Sequence, residues 1–182
     1  MACAACGKGR KKGNPGAAVE ELNLPQPSIW GPALWTILHV AAEKAGQNAV
    51  IGIRADEVRE LEMLVRSFPQ ALPCAVCQQH AKEYISTHKM TWSGKTGPEI
   101  QDQIRRWFYD FHDHVNRSKS SPTISIPYDE VESRYGTVTN ISLFVNTINE
   151  QITGALNFNI VKHDAARRFR RHLGSLRSFI GI

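Results

Sequence analysis

Four cysteines form two identical Cys-x-x-Cys pairs, Cys3 with Cys6 and Cys74 with Cys77, and no cysteine is left over. Pro73 directly precedes the second pair, and proline favours the first turn of a helix. At a helix N-terminus, unpaired backbone N–H groups and the positive end of the helix dipole stabilise a thiolate. Because the thiolate is the species that attacks a disulfide, this pattern predicts thiol–disulfide exchange at Cys74 and Cys77.

Zinc binding is the main alternative chemistry for such pairs, with His80 or His112 as further ligands. Zinc ribbons and fingers usually place two pairs within about twenty residues of each other. Cys6 and Cys74 are much farther apart, and two predicted helices separate them. A thioredoxin-like motif needs a strand before its helix, and no convincing period-two alternation is found up to the fifth predicted helix. The pattern therefore favours a redox pair, and no metal site is predicted.

The pattern of apolar residues from Ser28 to Tyr135 is helical. Apolar side chains recur at three- and four-residue steps, as on the buried face of an amphipathic helix. Pro69 is expected to end the second helix. Four long segments and one short segment predict an all-α fold, a four-helix bundle plus a short fifth helix. The predicted helices cover residues 31–45, 55–68, 74–88, 98–119 and 128–135.

Two segments flank this bundle, which is assigned to residues 28–136. Residues 1–27 are rich in glycine and proline, and predict a flexible arm that carries the first cysteine pair. Residues 137–182 form a C-terminal extension with apolar positions on two further helices, one around Ile141–Ile152 and one around Phe169–Leu176. The extension is expected to cover an exposed face of the bundle, to form an oligomer interface, or to bind a partner.

The composition is that of an ordinary globular protein, with 42% hydrophobic and 21% charged residues. The net charge of +5 arises largely from basic residues near the two ends. Such ends can contact nucleic acid, acidic partners or anionic membranes, but clusters of this size are typical of solvated surface. No apolar run approaches the ~20 residues of a membrane span, and the N-terminal segment lacks the apolar core of a secretory signal. A soluble protein is expected.

Four motifs follow one another in order along the predicted bundle. They are Trp35-Thr-Ile-Leu-His39, Leu72-Pro73-Cys74-Ala-Val-Cys77, Trp107 with His112-Asp-His-Val-Asn116, and Val131-Glu-Ser-Arg-Tyr135. In order and spacing, residues 29–135 resemble the Erv/ALR family of FAD-linked sulfhydryl oxidases. The resemblance implies a helical bundle that holds FAD and passes electrons from protein dithiols through Cys-x-x-Cys to FAD. Oxygen is then the implied acceptor and hydrogen peroxide the product.

The same resemblance implies roles for the cysteines and an oligomeric state. Cys74 would receive electrons from the substrate dithiol, and Cys77 would lie against the flavin ring. Cys3 and Cys6 resemble the shuttle pair that some members carry outside the bundle; the alternative is an incidental N-terminal segment. Family members are commonly homodimers through their first helices, so a homodimer is expected.

The cofactor-binding positions also follow from the resemblance. The first helix would line the flavin, and the end of the fourth helix would hold the adenosine portion. A plainer interpretation is also open, since Trp35 and His39 are one helical turn apart and could be a packed core pair. The residues expected at the cofactor are Gly31, Trp35, His39, Cys77, His112, Val115, Asn116, Lys119 and Tyr135.

Three positions depart from the family pattern. Asp113 stands where asparagine is usual, Ser121 stands where a lysine is usual with Lys119 nearby, and Tyr135 replaces a tryptophan. These departures leave the pyrophosphate and adenine contacts open.

The predicted activity limits the compartments in which the protein would act. Disulfide formation points to the mitochondrial intermembrane space or the secretory pathway, whereas a viral member would act in the host cytoplasm or the virion. The absence of a targeting segment and the unfamiliar extension favour the viral origin. The alternative from a different class is a non-enzymatic helical assembly or binding protein whose cysteines are structural, as zinc ligands or as a disulfide.

Overall fold

A computed structural model describes residues 24–118 and 123–182. Cys3, Cys6 and Lys119 lie outside these residues, so their predicted roles have no structural account. Every regular element in the described residues is helical, which confirms the predicted all-α fold. The helices are α1 (Pro27–Lys44), α2 (Ile51–Ala71), α3 (Ala75–Thr87), α4 (Gly97–Arg117), α5 (Val131–Tyr135), α6 (Ser142–Asn157) and α7 (His163–Ile180), with a 3-10 turn at Tyr128–Glu130 before α5.

Three helix boundaries differ from the expectations by three residues or more. α2 begins at Ile51, one turn before the predicted start at residue 55, and its first turn is closed by the Arg54 N–H, which donates to the Val50 oxygen at 2.9 Å. α1 begins at Pro27, about one turn before the predicted start, because Pro27 occupies the start of the first turn, where its missing N–H has no intrahelical partner to lose. Pro32 therefore lies inside the helix. The prediction that Pro69 ends the second helix is wrong, since α2 continues to Ala71. Pro69 lies in the last turn and is buried, so core packing outweighs the single backbone hydrogen bond that it removes.

The starts of α3 and α4 are fixed by side-chain caps. Cys74 is the N-cap of α3, so the helix starts at the cysteine pair as predicted. Thr96 and Glu99 form a capping box at the start of α4: the Glu99 N–H donates to Thr96 Oγ1 at 3.4 Å and the Thr96 N–H donates to Glu99 Oε2 at 3.2 Å. These caps satisfy backbone groups that would otherwise have no partner.

One continuous hydrophobic core joins the bundle and the C-terminal extension. α1 packs against α4 and α6, and α2 packs against α3 and α7. Phe169 of α7 is 1% exposed and Ile148 of α6 is also 1% exposed, so both lie as deep as Phe68 and Phe108 of the bundle. The extension therefore covers the α1 and α2 side of the bundle, which was one of its expected roles.

The turn between α1 and α2 depends on Gly46. Its backbone has a φ of +81°, and a Cβ at this position would lie 2.7 Å from Ile100 Cγ2. Its N–H donates to Oε2 of the buried Glu57 at 2.9 Å. A residue without a side chain is required here, both for the left-handed backbone and for the close approach of α4.

Candidate functional site

The second cysteine pair forms a disulfide at the start of α3, with the two Cα atoms 5.2 Å apart. The backbone N–H of Cys77 donates to Cys74 Sγ at 3.2 Å. Cys74 is 8% exposed, whereas Cys77 is half-buried and packs against the core. The pair thus has the helix-start position and N–H contact expected for a thiol–disulfide exchange site.

Four of the predicted cofactor residues meet in one cluster of rings, contributed by α1, α4 and α5. Trp35 and His112 stack with their centroids 3.9 Å apart and their planes 7° from parallel. His39 and Tyr135 stack at 4.6 Å and 15°. The two stacks are joined where His39 Nε2 lies 3.0 Å from His112 Nδ1. We call these four residues the ring cluster.

His39 is the electrostatically distinctive member of the ring cluster. It is 2% exposed, and its burial, together with the positive charge of Arg134, lowers its pKa to about 4. The imidazole is therefore neutral at neutral pH and can share only one proton with His112 along their contact. Its other nitrogen, Nδ1, is buried with no hydrogen-bond partner among the described residues. Burial also raises the pKa of Tyr135.

Aromatic contacts link the ring cluster to α3, which carries the cysteines. Phe111 of α4 contacts Trp35 edge to face at 5.2 Å and stacks on Tyr84 of α3 at 4.4 Å. Burial, together with the negative charge of Asp110, raises the pKa of Tyr84 to about 12. Tyr84 is not among the residues predicted from the sequence. Its position seven residues after Cys77, on the same face of the same helix, could have indicated it.

At the end of α4, a polar network surrounds the positions predicted to hold adenosine. Asn116 is 6% exposed, and its Nδ2 donates to Ser125 Oγ at 3.0 Å. Ser125 Oγ in turn donates to Asp113 Oδ1 at 2.9 Å, and Asp113 pairs with Arg117 at 2.7 Å. Val115 is half-buried against the core. Asp113, one of the departures from the family pattern, thus serves as a charged acceptor within this network.

A buried ion pair holds α1 against α4 next to the ring cluster. Arg105 Nε and Nη2 donate to the two carboxylate oxygens of Glu43 at 2.7 and 2.6 Å, and Gln101 Nε2 donates to Glu43 Oε2 at 3.1 Å. Glu43 lies one turn after His39, and Arg105 lies two turns before His112. This Glu43–Arg105 clamp therefore sets the register between the two helices whose histidines meet in the ring cluster.

The residues present fit a cofactor with flat rings and polar edges. The ring cluster offers aromatic faces, and the unpaired Nδ1 of His39 offers a buried polar atom that a bound group would satisfy. Gly31, two turns before His39, leaves open space in the described part of the chain, where a Cβ at this position would meet no atom within 4 Å. A surface cleft of about 540 Å³ opens elsewhere, beside Glu43 and Lys44, and none of the predicted cofactor residues lines it.

The described part of the chain offers neither a grouped set of metal ligands nor a membrane-spanning helix. Among residues 24–118 and 123–182, no three His, Cys, Asp or Glu side chains are grouped so that they could hold a metal ion. None of the helices in these same ranges combines the length and the apolar character that crossing a bilayer requires.

Three known proteins that are similar to this chain come from viruses. A protein of Invertebrate iridescent virus 3, whose name describes an FAD-linked sulfhydryl oxidase, is 33% identical over 99 residues, which are 54% of this chain and 62% of that protein. The chain thus spans less than two thirds of this relative. A similarly named protein of Invertebrate iridescent virus 6 is 29% identical over 104 residues, covering 54% of this chain and 86% of the relative. The FAD-linked sulfhydryl oxidase of an African swine fever virus isolate is 26% identical over 96 residues, covering 53% and 72%.

The family comparison covers the bundle but not the extension. The model of the Erv1/Alr family matches residues 32–136, which include Trp35, His39, both cysteines of the second pair and the end of α4. No solved structure matches this chain. The matches agree with the flavin-linked thiol oxidase predicted from the sequence, and do not favour the non-enzymatic alternative. Since more than half of its length matches the family model, the chain belongs to the Erv1/Alr family.

Proposed function

We propose that this protein is an FAD-linked sulfhydryl oxidase that converts pairs of protein thiols into disulfides and passes the electrons to oxygen. The observation that carries the proposal is the Cys74–Cys77 disulfide at the start of α3, within the segment matched by the family. The viral relatives bear names that describe this activity. The ring cluster supplies aromatic surface of the kind that a flavin nucleotide stacks on.

The cysteine pair would perform the exchange with substrate. A substrate thiolate attacks one sulfur of the Cys74–Cys77 disulfide, the second substrate thiol displaces the mixed disulfide, and the substrate leaves oxidised while the pair is left as a dithiol. In the second exchange, the substrate thiolate attacks the substrate sulfur of the mixed disulfide and the sulfur of Cys74 leaves as a thiolate, which the N–H of Cys77 would stabilise. When bound, FAD supplies the two-electron chemistry that reoxidises the pair and yields hydrogen peroxide from oxygen.

The assignment of the two sulfurs has a direct test. In the proposal, Cys74 exchanges with substrate and Cys77 lies toward the flavin, although Cys74 is the more buried of the two. When a Cys77→Ser variant meets the disulfide form of a protein substrate, the Cys74 thiolate should attack one substrate sulfur and release the other as a thiol, so that a mixed disulfide accumulates; Cys74→Ser should accumulate less. Identification of the trapped proteins would define the substrates, and stronger trapping by Cys74→Ser would reverse the assignment.

The residues proposed to hold the cofactor come from α1, the start of α3, the end of α4 and α5, together with Lys119. Their chemistry supports stacking by the aromatic side chains and polar contacts from His39 and the Asn116 network. Lys119 lies outside the described residues, and its role is carried over from the resemblance alone. The proposed set is Gly31, Trp35, His39, Cys77, His112, Val115, Asn116, Lys119 and Tyr135.

The expected homodimer stays a prediction, and the packing of the C-terminal extension bears on it. α6 packs along α1 and α7 packs along α2, so the extension covers part of the helices through which a family-type dimer would form. A homodimer of this chain would then use surface that the extension leaves exposed. Light scattering coupled to size exclusion should decide between the 20.4 kDa monomer and a particle of twice that mass.

The N-terminal pair and the compartment belong to the same proposal. We expect a viral protein that acts in the host cytoplasm or the virion. We also expect Cys3 and Cys6 to relay electrons from protein substrates to the second pair. If they do, Cys3→Ser should leave oxygen consumption with dithiothreitol unchanged and should slow the oxidation of a protein dithiol. Equal rates with the protein dithiol would remove the relay from the proposal.

The experiment that tests the function itself is optical and kinetic. The purified protein should be yellow, should contain FAD, and should consume oxygen with dithiothreitol. Cys74→Ser and Cys77→Ser should each abolish consumption. A folded protein that stays colourless after incubation with FAD would instead favour the helical assembly protein.

A further inference from the structure

We propose that Gln78 and the connection between α6 and α7 together position the redox disulfide, so that the C-terminal extension helps to set the equilibrium between its oxidised and reduced forms. Gln78 directly follows Cys77, yet its side chain reaches a segment that the family match does not cover. The biological importance of these Gln78 contacts rests on the proposed function, but their effect on the disulfide can be measured whether or not that function holds.

The contacts of Gln78 join three segments through one carboxamide. Its Nε2 donates to the backbone oxygen of Leu72 at 2.9 Å and to that of Ile160 at 3.0 Å, so both amide hydrogens are used. Leu72 is the C-cap of α2 and lies two residues before Cys74. Ile160 lies between α6 and α7. One side chain therefore ties the residues on both sides of the disulfide to the extension.

The conformation of the α6–α7 connection presents the Ile160 oxygen to Gln78. Asn159 has a φ of +56°, the left-handed conformation that commonly ends a helix. The Ile160 N–H donates to the Ala155 oxygen at 2.9 Å, which closes the end of α6. Val161 follows and is 3% exposed. The carbonyl thus belongs to a connection fixed at both ends, and not to an exposed loop tip.

These contacts should favour the disulfide over the dithiol. Against glutathione, two glutathione thiols are oxidised to one glutathione disulfide, and the Cys74–Cys77 bond is reduced to two thiols, so two electrons and two protons are exchanged. Gln78 holds the chain before the first cysteine and the chain after the second in one arrangement, which lowers the conformational freedom that closing the bond removes. Without this restraint the dithiol gains freedom, and the disulfide becomes easier to reduce.

The test is the glutathione equilibrium of the full-length Gln78→Met variant, measured without oxygen so that the proposed oxidase activity cannot reoxidise the pair. The substitution keeps the side-chain length and removes both donors. Tryptic peptide 67–82 contains Cys74 and Cys77 and neither N-terminal cysteine, so alkylation and mass spectrometry report this pair alone. We expect the equilibrium constant for disulfide formation to fall by about three- to tenfold, where tenfold corresponds to about 30 mV. Gln79→Leu is the matched control, because Gln79 is exposed and, within residues 24–118 and 123–182, its amide bonds only to Glu83 of the same helix. It should leave the constant unchanged within about twofold.

A pair of variants in the extension tests whether the effect originates there. Asn159→Gly permits the left-handed backbone and should keep the wild-type equilibrium constant, whereas Asn159→Val opposes it and should lower the constant in the direction of Gln78→Met. A wild-type constant in folded Gln78→Met, or an equal effect of Gln79→Leu, would overturn the inference. Equal constants for the two Asn159 variants would also overturn it. Failure to bind FAD would refute the proposed function instead, because the glutathione equilibrium involves only the cysteine pair.

Discussion

Removing one partner of the Glu43–Arg105 clamp should lower the free energy of unfolding more than replacing both partners by apolar residues. The side chain of Glu43 is 1% exposed and that of Arg105 is 13% exposed, so both charges are largely removed from water. Arg105→Met leaves a buried carboxylate whose one remaining hydrogen bond, among the residues that the structure describes, is from Gln101. Loss of one partner from a buried pair typically lowers the free energy of unfolding by about 3–5 kcal/mol.

The double variant distinguishes this mechanism from simple loss of packing. Glu43→Leu with Arg105→Met replaces both charges by apolar groups, and such replacements are often neutral or stabilising. We therefore expect the double variant to be more stable than Arg105→Met by about 2 kcal/mol or more. Glu132→Gln is the control: Glu132 also contacts Arg105 at 3.2 Å, but its side chain is 69% exposed, so the change should cost no more than about 1 kcal/mol.

Urea unfolding followed by far-UV circular dichroism measures these differences. A double variant that is no more stable than Arg105→Met would show that the two charges are not coupled and would refute the reasoning. The same variants report on function, because the clamp sets the register of the helices that carry His39 and His112. Arg105→Met should also weaken FAD binding, and Glu132→Gln should leave FAD binding unchanged.

Three further predictions concern pH, the extension and the α1–α2 turn. The unfolded chain takes up a proton at His39 near its ordinary pKa of 6.5 and the folded chain near 4, so stability should fall by up to about 3 kcal/mol as pH drops through that window. His39→Asn should flatten this part of the urea–pH profile, and an unchanged profile would contradict the assignment. Phe169→Ala should lower the free energy of unfolding by about 3–5 kcal/mol, and the variant should still unfold in a single transition. Two transitions would show that the extension has a separate core. Gly46→Ala should lower the free energy of unfolding by about 2 kcal/mol, because the backbone is left-handed and Ile100 must move; Gly52→Ala, with open space in α2, should be neutral or stabilising, and equal costs would count against the strain.

The sequence pattern predicted the elements that depend on local signals. Apolar periodicity located the helices, and the Pro73–Cys74 step located the start of α3, because caps and first-turn residues act within a few positions. Periodicity failed at Pro69, where tertiary packing carries α2 through a residue that locally opposes a helix. It also identified apolar faces on α6 and α7 without identifying the surface that they cover.

The contacts that complete the site are long-range and could not be predicted in the same way. Glu43 and Arg105 are 62 residues apart, and Gln78 and Ile160 are 82 residues apart. A lone glutamate or glutamine on a helix is usually solvated, so residue type gave no reason to single these out. The family motifs assigned His39 to the flavin and His112 to the adenosine portion of the cofactor, but they did not predict the 3.0 Å contact between the two rings.

Anaerobic reduction of the purified, flavin-loaded protein by dithiothreitol, followed through the flavin absorbance, tests whether the Cys74–Cys77 pair delivers electrons to FAD. Wild-type protein and the Cys3→Ser variant should bleach at the same rate, and Cys77→Ser should keep its colour on that timescale. A preparation that holds no flavin, or a Cys77→Ser variant that bleaches as fast as the wild type, would contradict the proposed role of the pair.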